Sequence, residues 1–162
     1  MKKPLFLFPL VFLLIFLGVS QETSAKARTV KIVISGGALT NAIEITEQRI
    51  LDISGVWGGE FLDRSKGTAQ ETPRGFQRYE VSFYVEIADN KMTKMYVLYF
   101  YPNPAKEQGY IYLPGKGETW YSLNVGFIRG EQDGKWNYAS PAWEDSIKSM
   151  IAGAEAAQRQ GS

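Results

Sequence analysis

Between Phe76 and Tyr101 the chain alternates more strictly than anywhere else, and this stretch limits what it can fold into. Tyr79, Val81, Phe83, Val85 and Ile87 fall on every second position, with Arg78, Glu80, Ser82, Tyr84 and Glu86 between them. A period of two is the signature of a strand with one face on a core. Asp89-Asn90-Lys91 follows as a turn, since Asp and Asn bond their own backbone and tolerate left-handed conformations. Met92–Tyr101 then returns with Met95, Val97, Tyr99 and Tyr101 on one side and Tyr96, Leu98 and Phe100 on the other. Both sides of this second strand are apolar or aromatic, which predicts a central position in a sheet.

Shorter segments extend the pattern. Val30, Ile32 and Ile34 alternate in 29–35, Gly36-Gly37 ends that strand, and Ile43 and Ile45 return as its hairpin partner. Thr46 is placed to cap a short helix over 47–53. Periodicity lapses in 54–75, where glycines accumulate, so the segment reads as a long irregular loop. Gly109–Leu113 is a strand bounded by prolines, Trp120–Ile128 contains a further one, and Trp136–Tyr138 is a last short one. Ser140-Pro141 opens a helix in which Trp143, Ile147, Met150, Ile151 and Ala154 repeat at helical spacing, with Gln158–Ser162 fraying. The expected class is α+β: a mainly antiparallel sheet of about five to seven strands, a short helix near 47–53 and a C-terminal helix packed on the sheet.

The N-terminus reads as a secretory signal. Lys2 and Lys3 precede an uncharged apolar run from Pro4 to Leu17, followed by small residues with cleavage expected between 20 and 27. Residues 1–25 are thus assigned as signal peptide and 26–162 as one globular domain. The alternative is an uncleaved anchor, the run being at the short end of the ~17–25 residues that span a bilayer. The destination is secreted or periplasmic, and membrane contact is expected only through this segment if it stays.

Composition narrows the chemistry. The chain has no Cys and no His. Stability must therefore come from packing, and Ser-His-Asp, Cys-His, His-rich zinc and iron–sulfur chemistry are excluded. Removing residues 1–25 takes away Lys2, Lys3 and Glu22 and leaves a formally neutral remainder. Without a basic excess, nucleic acid is not an expected partner. Catalysis by two carboxylates and calcium binding through oxygen ligands remain open in principle, yet no loop has the repeated acids of a calcium site. No metal and no cofactor are assigned, and the reading leans away from an enzyme.

Two groups of residues are candidates for binding. Tyr110, Tyr112, Trp120 and Tyr121, with Trp136 and Tyr138, can offer flat faces with polar tips, or can simply complete a sheet. Trp57, Glu60, Asp63 and Arg64 surround Gly58-Gly59 at the head of the long loop, where they can orient a ligand; the competing role is Trp57 and Phe61 as core plugs and Asp63-Arg64 as a surface pair.

Ile32-Val33-Ile34-Ser35-Gly36, Ile43-Glu44-Ile45-Thr46, Tyr99-Phe100-Tyr101-Pro102, Gly109–Gly115 and Ser140-Pro141-Ala142-Trp143 together resemble a family of exported bacterial proteins without assigned activity. The resemblance spans most of the chain after the leader. It implies a bacterial source and carries over no site residue. The leading expectation is an extracytoplasmic, non-catalytic binding or interaction protein whose ligand is a glycan or a protein, using surface aromatics and the glycine-rich loop. The alternatives are a small carboxylate hydrolase of cell-wall or other polysaccharide, relying on Glu60, Asp63 or Glu118, and an inhibitor or accessory factor of a secreted enzyme.

Overall fold

A computed structural model describes residues 28–70, 72–87, 91–105, 107–125 and 132–161. The leader, the turn at 88–90 and the end of the Trp120–Ile128 segment lie outside the described residues. One six-stranded antiparallel sheet runs in the order β2-β1-β3-β4-β5-β6. Its strands are β1 Thr29–Gly36, β2 Ile43–Ile45, β3 Tyr79–Ile87, β4 Lys91–Tyr101, β5 Tyr110–Tyr112 and β6 Trp136–Tyr138. Three helices complete the fold: α1 Gln48–Asp52, α2 Tyr121–Asn124 and α3 Pro141–Gln160. The α+β class and the C-terminal helix on the sheet are as expected.

Register makes the sheet two-sided. Tyr79, Val81 and Phe83 of β3 stand opposite Phe100, Leu98 and Tyr96 of β4, and Ile32 and Ile34 of β1 stand opposite Phe83 and Val81. These side chains are all buried and form one cluster with Ile50 and Leu51 of α1 and Trp143, Ile147 and Ile151 of α3. Their spacing on α3 is i, i+4, i+8, which keeps the apolar stripe on one helix face. Trp143 anchors it. Its ring lies 5.3 Å from Phe100 and 6.1 Å from Phe61, and its Nε1–H donates to Ser54 Oγ at 3.0 Å. Ser54 Oγ in turn donates to the Ile50 carbonyl at 2.6 Å, so the end of α1 and the start of α3 share one buried network.

Several expectations are corrected. The residue before α1 is Glu47, not Thr46, and no side chain caps that helix; the Glu47 carbonyl takes the first amides, from Ile50 and Leu51. Ile87 is exposed, because the alternation reaches the strand end beyond the cover of α3. Trp120–Asn124 is a helical turn instead of a strand, for a reason given below. Gln158 does not fray: its side-chain oxygen accepts from the Thr40 amide and hydroxyl, each at 2.8 Å, and its Nε2 donates to the Asn41 carbonyl at 3.0 Å. The end of α3 is thereby tied to the β1–β2 hairpin.

The 54–75 segment holds no named helix or strand, yet part of it is sheet-like. Leu62 bridges Ala139 and Thr68 bridges Asn137. The Asp63 amide donates to the Tyr138 carbonyl at 2.9 Å and the Ala69 amide to the Trp136 carbonyl at 2.7 Å. Residues 62–69 therefore cover the outer edge of β6, satisfying backbone groups that an edge strand would leave bare.

Glu144 ties the start of α3 to the residue before β5. It is buried in the first turn of α3, and both of its oxygens accept from the Gly109 amide, at 2.9 and 2.8 Å. A carboxylate at a helix N-terminus also meets the positive end of the dipole. Gly109 is needed there, since an added Cβ would lie 2.9 Å from the Tyr101 carbonyl oxygen.

Candidate functional site: an aromatic sheet face

The face turned away from α3 carries the alternate residues. On it β4, β5 and β6 align Tyr99 with Tyr112 and Trp136, and Tyr101 with Tyr110 and Tyr138. Two rows of three aromatic side chains result, each row crossing three strands. Trp136 sits 4.8 Å from both Tyr101 and Tyr112, Tyr110 sits 5.4 Å from Tyr138, and Phe76 adds its ring 6.0 Å from Tyr110. The rings meet at tilts of 35–62°, so hydroxyl tips as well as ring faces are presented.

Cations are interleaved with the rings. Arg78 lies 5.0 Å from the centre of the Tyr99 ring, Lys94 lies 4.6 Å from Trp120 and 5.9 Å from Tyr84, and Lys31 lies 4.9 Å from Tyr84. Such pairs hold a charged group over an aromatic face.

The β5–β6 connection builds one wall. Its ends are paired, the Gly134 amide donating to the Leu113 carbonyl at 2.7 Å, so 113–135 leaves and returns at one place. Gly115 must be glycine here, because an added Cβ would stand 2.8 Å from the Gly134 Cα. Glu118 closes the turn, its Oε2 accepting from the Gly115 amide at 2.6 Å and the Tyr112 hydroxyl at 2.8 Å. Trp120 has φ 75°, a left-handed conformation rare for an aromatic residue. It is held by an Nε1–H bond to Glu80 Oε2 at 3.1 Å and by the Lys94 contact. Asn124 then grips β4, accepting from the Val97 amide at 2.9 Å and donating to the Val97 carbonyl at 2.5 Å. This bond pair explains the helical turn: β5 is too short to reach Val97, and the Asn124 amide takes the place of a strand partner.

Between wall and sheet is a cleft of about 560 Å³ lined by Arg78, Tyr99, Tyr101, Tyr112, Gly117, Glu118, Thr119 and Trp136. A second, of about 590 Å³, lies beside it around Tyr110, Phe76, Arg74 and Gln70. Desolvation raises the Tyr112 phenol to about 12, helped by its bond to the Glu118 carboxylate. Burial also raises Tyr99 and Tyr101, with the Arg78 charge opposing it in both. Tyr79, in the core, goes to about 12 through desolvation and the neighbouring Glu155. A phenol whose pKa is higher folded than unfolded stabilises the fold fully below pH 10, its ordinary value, and loses that contribution as pH climbs toward 12. Thermal stability is thus expected to decline between pH 10 and 12, and a Tyr79→Phe/Tyr112→Phe double variant to decline less over that interval. Calorimetry beside tyrosinate absorbance checks this; equal declines in the two proteins would contradict it.

The eight binding candidates separate in space. Tyr110 and Tyr112 line the two clefts, while Trp120 holds the wall and Tyr121 sits half-buried in α2, lining neither. The loop group is elsewhere. Trp57 packs partly buried against the core beside Phe61, and Glu60 lies against Gly55 and Gly58. Asp63 and Arg64 border a smaller cleft of about 240 Å³ with Asn137, whose side chain alternates to the face opposite Trp136 and Tyr138. They are not an ion pair: Arg64 donates to the Gly58 carbonyl, and Asp63 accepts from Ser65 and Gln108, which lower its pKa. Arg78, Tyr99 and Tyr101 were not among the candidates. Strand parity alone puts them on this face, once β3 and β4 are paired.

Among the described residues no group of three or more His, Cys, Asp or Glu is placed to hold a metal ion, and no helix is long and apolar enough to cross a membrane. The chain matches no family model, no curated protein and no solved structure.

Proposed function

We propose that this is an extracytoplasmic, non-catalytic binding protein that holds a glycan chain on its aromatic sheet face. The cleft lined by Tyr99, Tyr101, Tyr112 and Trp136 carries the reading. Pyranose rings are apolar on their C–H faces and polar at their rims, and aromatic rings ringed by phenol, guanidinium and carboxylate groups complement both. The two adjoining clefts give a track longer than one sugar. Export rests on the leader-like N-terminus and on the resemblance of the following chain to exported bacterial proteins.

The hydrolase reading has less behind it. Glu60, Asp63 and Glu118 have separate partners and border different surfaces, whereas glycoside hydrolysis uses two carboxyls facing one bond.

Titration of the protein with soluble cell-wall oligosaccharides, followed calorimetrically, tests the reading. Trp136→Ala is expected to weaken binding by about tenfold or more, as truncating an aromatic anchor does, while Trp57→Ala leaves affinity unchanged. Undiminished binding by Trp136→Ala would remove the face as the site. Glycan turnover abolished by Glu118→Gln would replace binding with catalysis.

A further inference from the structure

Resting on that reading, the distribution of charge over the same face narrows the class of glycan. Of the cations there, Lys31 is already committed to Glu44 at 3.0 Å. Arg78 is different: it lines the main cleft, and among the described residues no carboxylate lies within ion-pair distance of it. Its guanidinium lies over the Tyr99 ring and bonds the Tyr101 phenol, and the rest of its planar fork of donors is without a carboxylate among the described residues. The fork matches a carboxylate in shape and makes charge-assisted bonds roughly twice as strong as neutral ones. Lys94 is likewise free of any carboxylate among the described residues, and Arg74 lines the neighbouring cleft.

Acids on the face set a limit on the ligand's charge. Glu44, Glu80, Glu86 and Glu118 share it with Lys31, Arg78, Lys94 and, over the Tyr138 ring, Lys66, so the surface is balanced and not a basic strip. A chain with a phosphate at every unit would meet repulsion from Glu80 and Glu118, and nucleic-acid affinity depends on phosphate neutralisation by Lys and Arg. Glu118, fixed by Tyr112 and Gly115, suits a hydroxyl donor instead.

We infer that the ligand is an acidic polysaccharide in which uronic acid units alternate with neutral sugars, with Arg78 taking a sugar carboxylate while Tyr99, Tyr112 and Trp136 take the rings and Glu118 takes hydroxyls.

The test compares a hyaluronan tetrasaccharide, in which uronic acid and neutral units alternate, with its methyl ester, which keeps the rings and loses the charge; tetrasaccharides of galacturonic acid and of alginate, charged at every unit, are run beside it with their esters. The hyaluronan acid is expected to bind about tenfold tighter than its ester, in keeping with a charge-assisted pair, and added salt should shrink the difference. Arg78→Gln should erase the preference, so that acid and ester bind alike; Arg78→Lys, which keeps charge without the fork, should retain part of it. Arg78 is exposed, so melting curves of both variants are expected to match the parent. Equal affinity for the hyaluronan acid and its ester would overturn the inference and leave glycan binding standing. Preference persisting in Arg78→Gln, or equal affinity for a thymidine oligonucleotide, would also overturn it. Binding of no saccharide would remove both this and the glycan reading.

Discussion

Replacing Trp143 with alanine is expected to cost about 3–5 kcal/mol of folding free energy, the range for truncating a large buried aromatic side chain. Trp143 is fully buried, touches Phe61 and Phe100, and supplies the donor that completes the Ser54 network. The substitution removes ring contacts from both sheet and loop at the place where α3 docks. With no disulfide to hold the elements together, that loss is a large share of the roughly 5–15 kcal/mol a domain possesses. Trp143→Phe keeps most of the volume and forfeits the bond to Ser54, so it should cost clearly less. Chemical denaturation of the three proteins gives the answer, and a loss below about 1 kcal/mol in the alanine variant would mean that α3 is not held by this residue.

The second large effect is expected at Asn124, and it reaches the site. Asn124→Ala leaves the Val97 amide and carbonyl without the partners that now satisfy them, in a place with no solvent access. Each orphaned group costs about 1–3 kcal/mol, so the total is about 3 kcal/mol. Asn124→Asp should be no better, because a carboxylate can accept from the amide but faces the Val97 carbonyl with a second acceptor. The loss should extend to binding as well. The wall segment that Asn124 fastens contains Gly117, Glu118 and Thr119, so even well below its melting temperature the variant should hold glycan more weakly than Trp143→Phe does. Denaturation and calorimetric titration on the same samples separate the two consequences; unchanged stability would show that the wall is not fastened here.

Local pattern carried most of the architecture. The alternation in β1, β3 and β4 is a property of adjacent residues, and so is the helical spacing of Trp143, Ile147 and Ile151. What sequence could not supply was produced by partners distant along the chain. Trp120 adopts a left-handed conformation under the hold of Glu80 and Lys94, and Asn124 turns toward β4 for lack of a strand beside Val97, so the described part of the segment is a helical turn where its apolar run pointed to a strand. Gln158 is ordered by Thr40 and Asn41, more than a hundred positions earlier. The site divides in the same way. Tyr110 and Tyr112 were visible as aromatic neighbours on one strand, but their grouping with Tyr99, Tyr101 and Arg78 depends on the β3–β4–β5 register, which no short window contains. The Trp57–Arg64 cluster drew notice through its glycines and charges, features that a tight, core-plugging loop shares with a ligand loop.

The covered edge of β6 has a bearing on how copies of this protein coexist. A sheet with one face bare and a long free margin invites its neighbours to add strands and grow into fibrils. Here one margin is the three-residue β2 and the other is sealed by 62–69, so lateral stacking finds no template on either side. On the glycan reading proposed above, the uncovered face is then kept for a soluble polymer, and a sugar chain long enough to pass several molecules would be what links them.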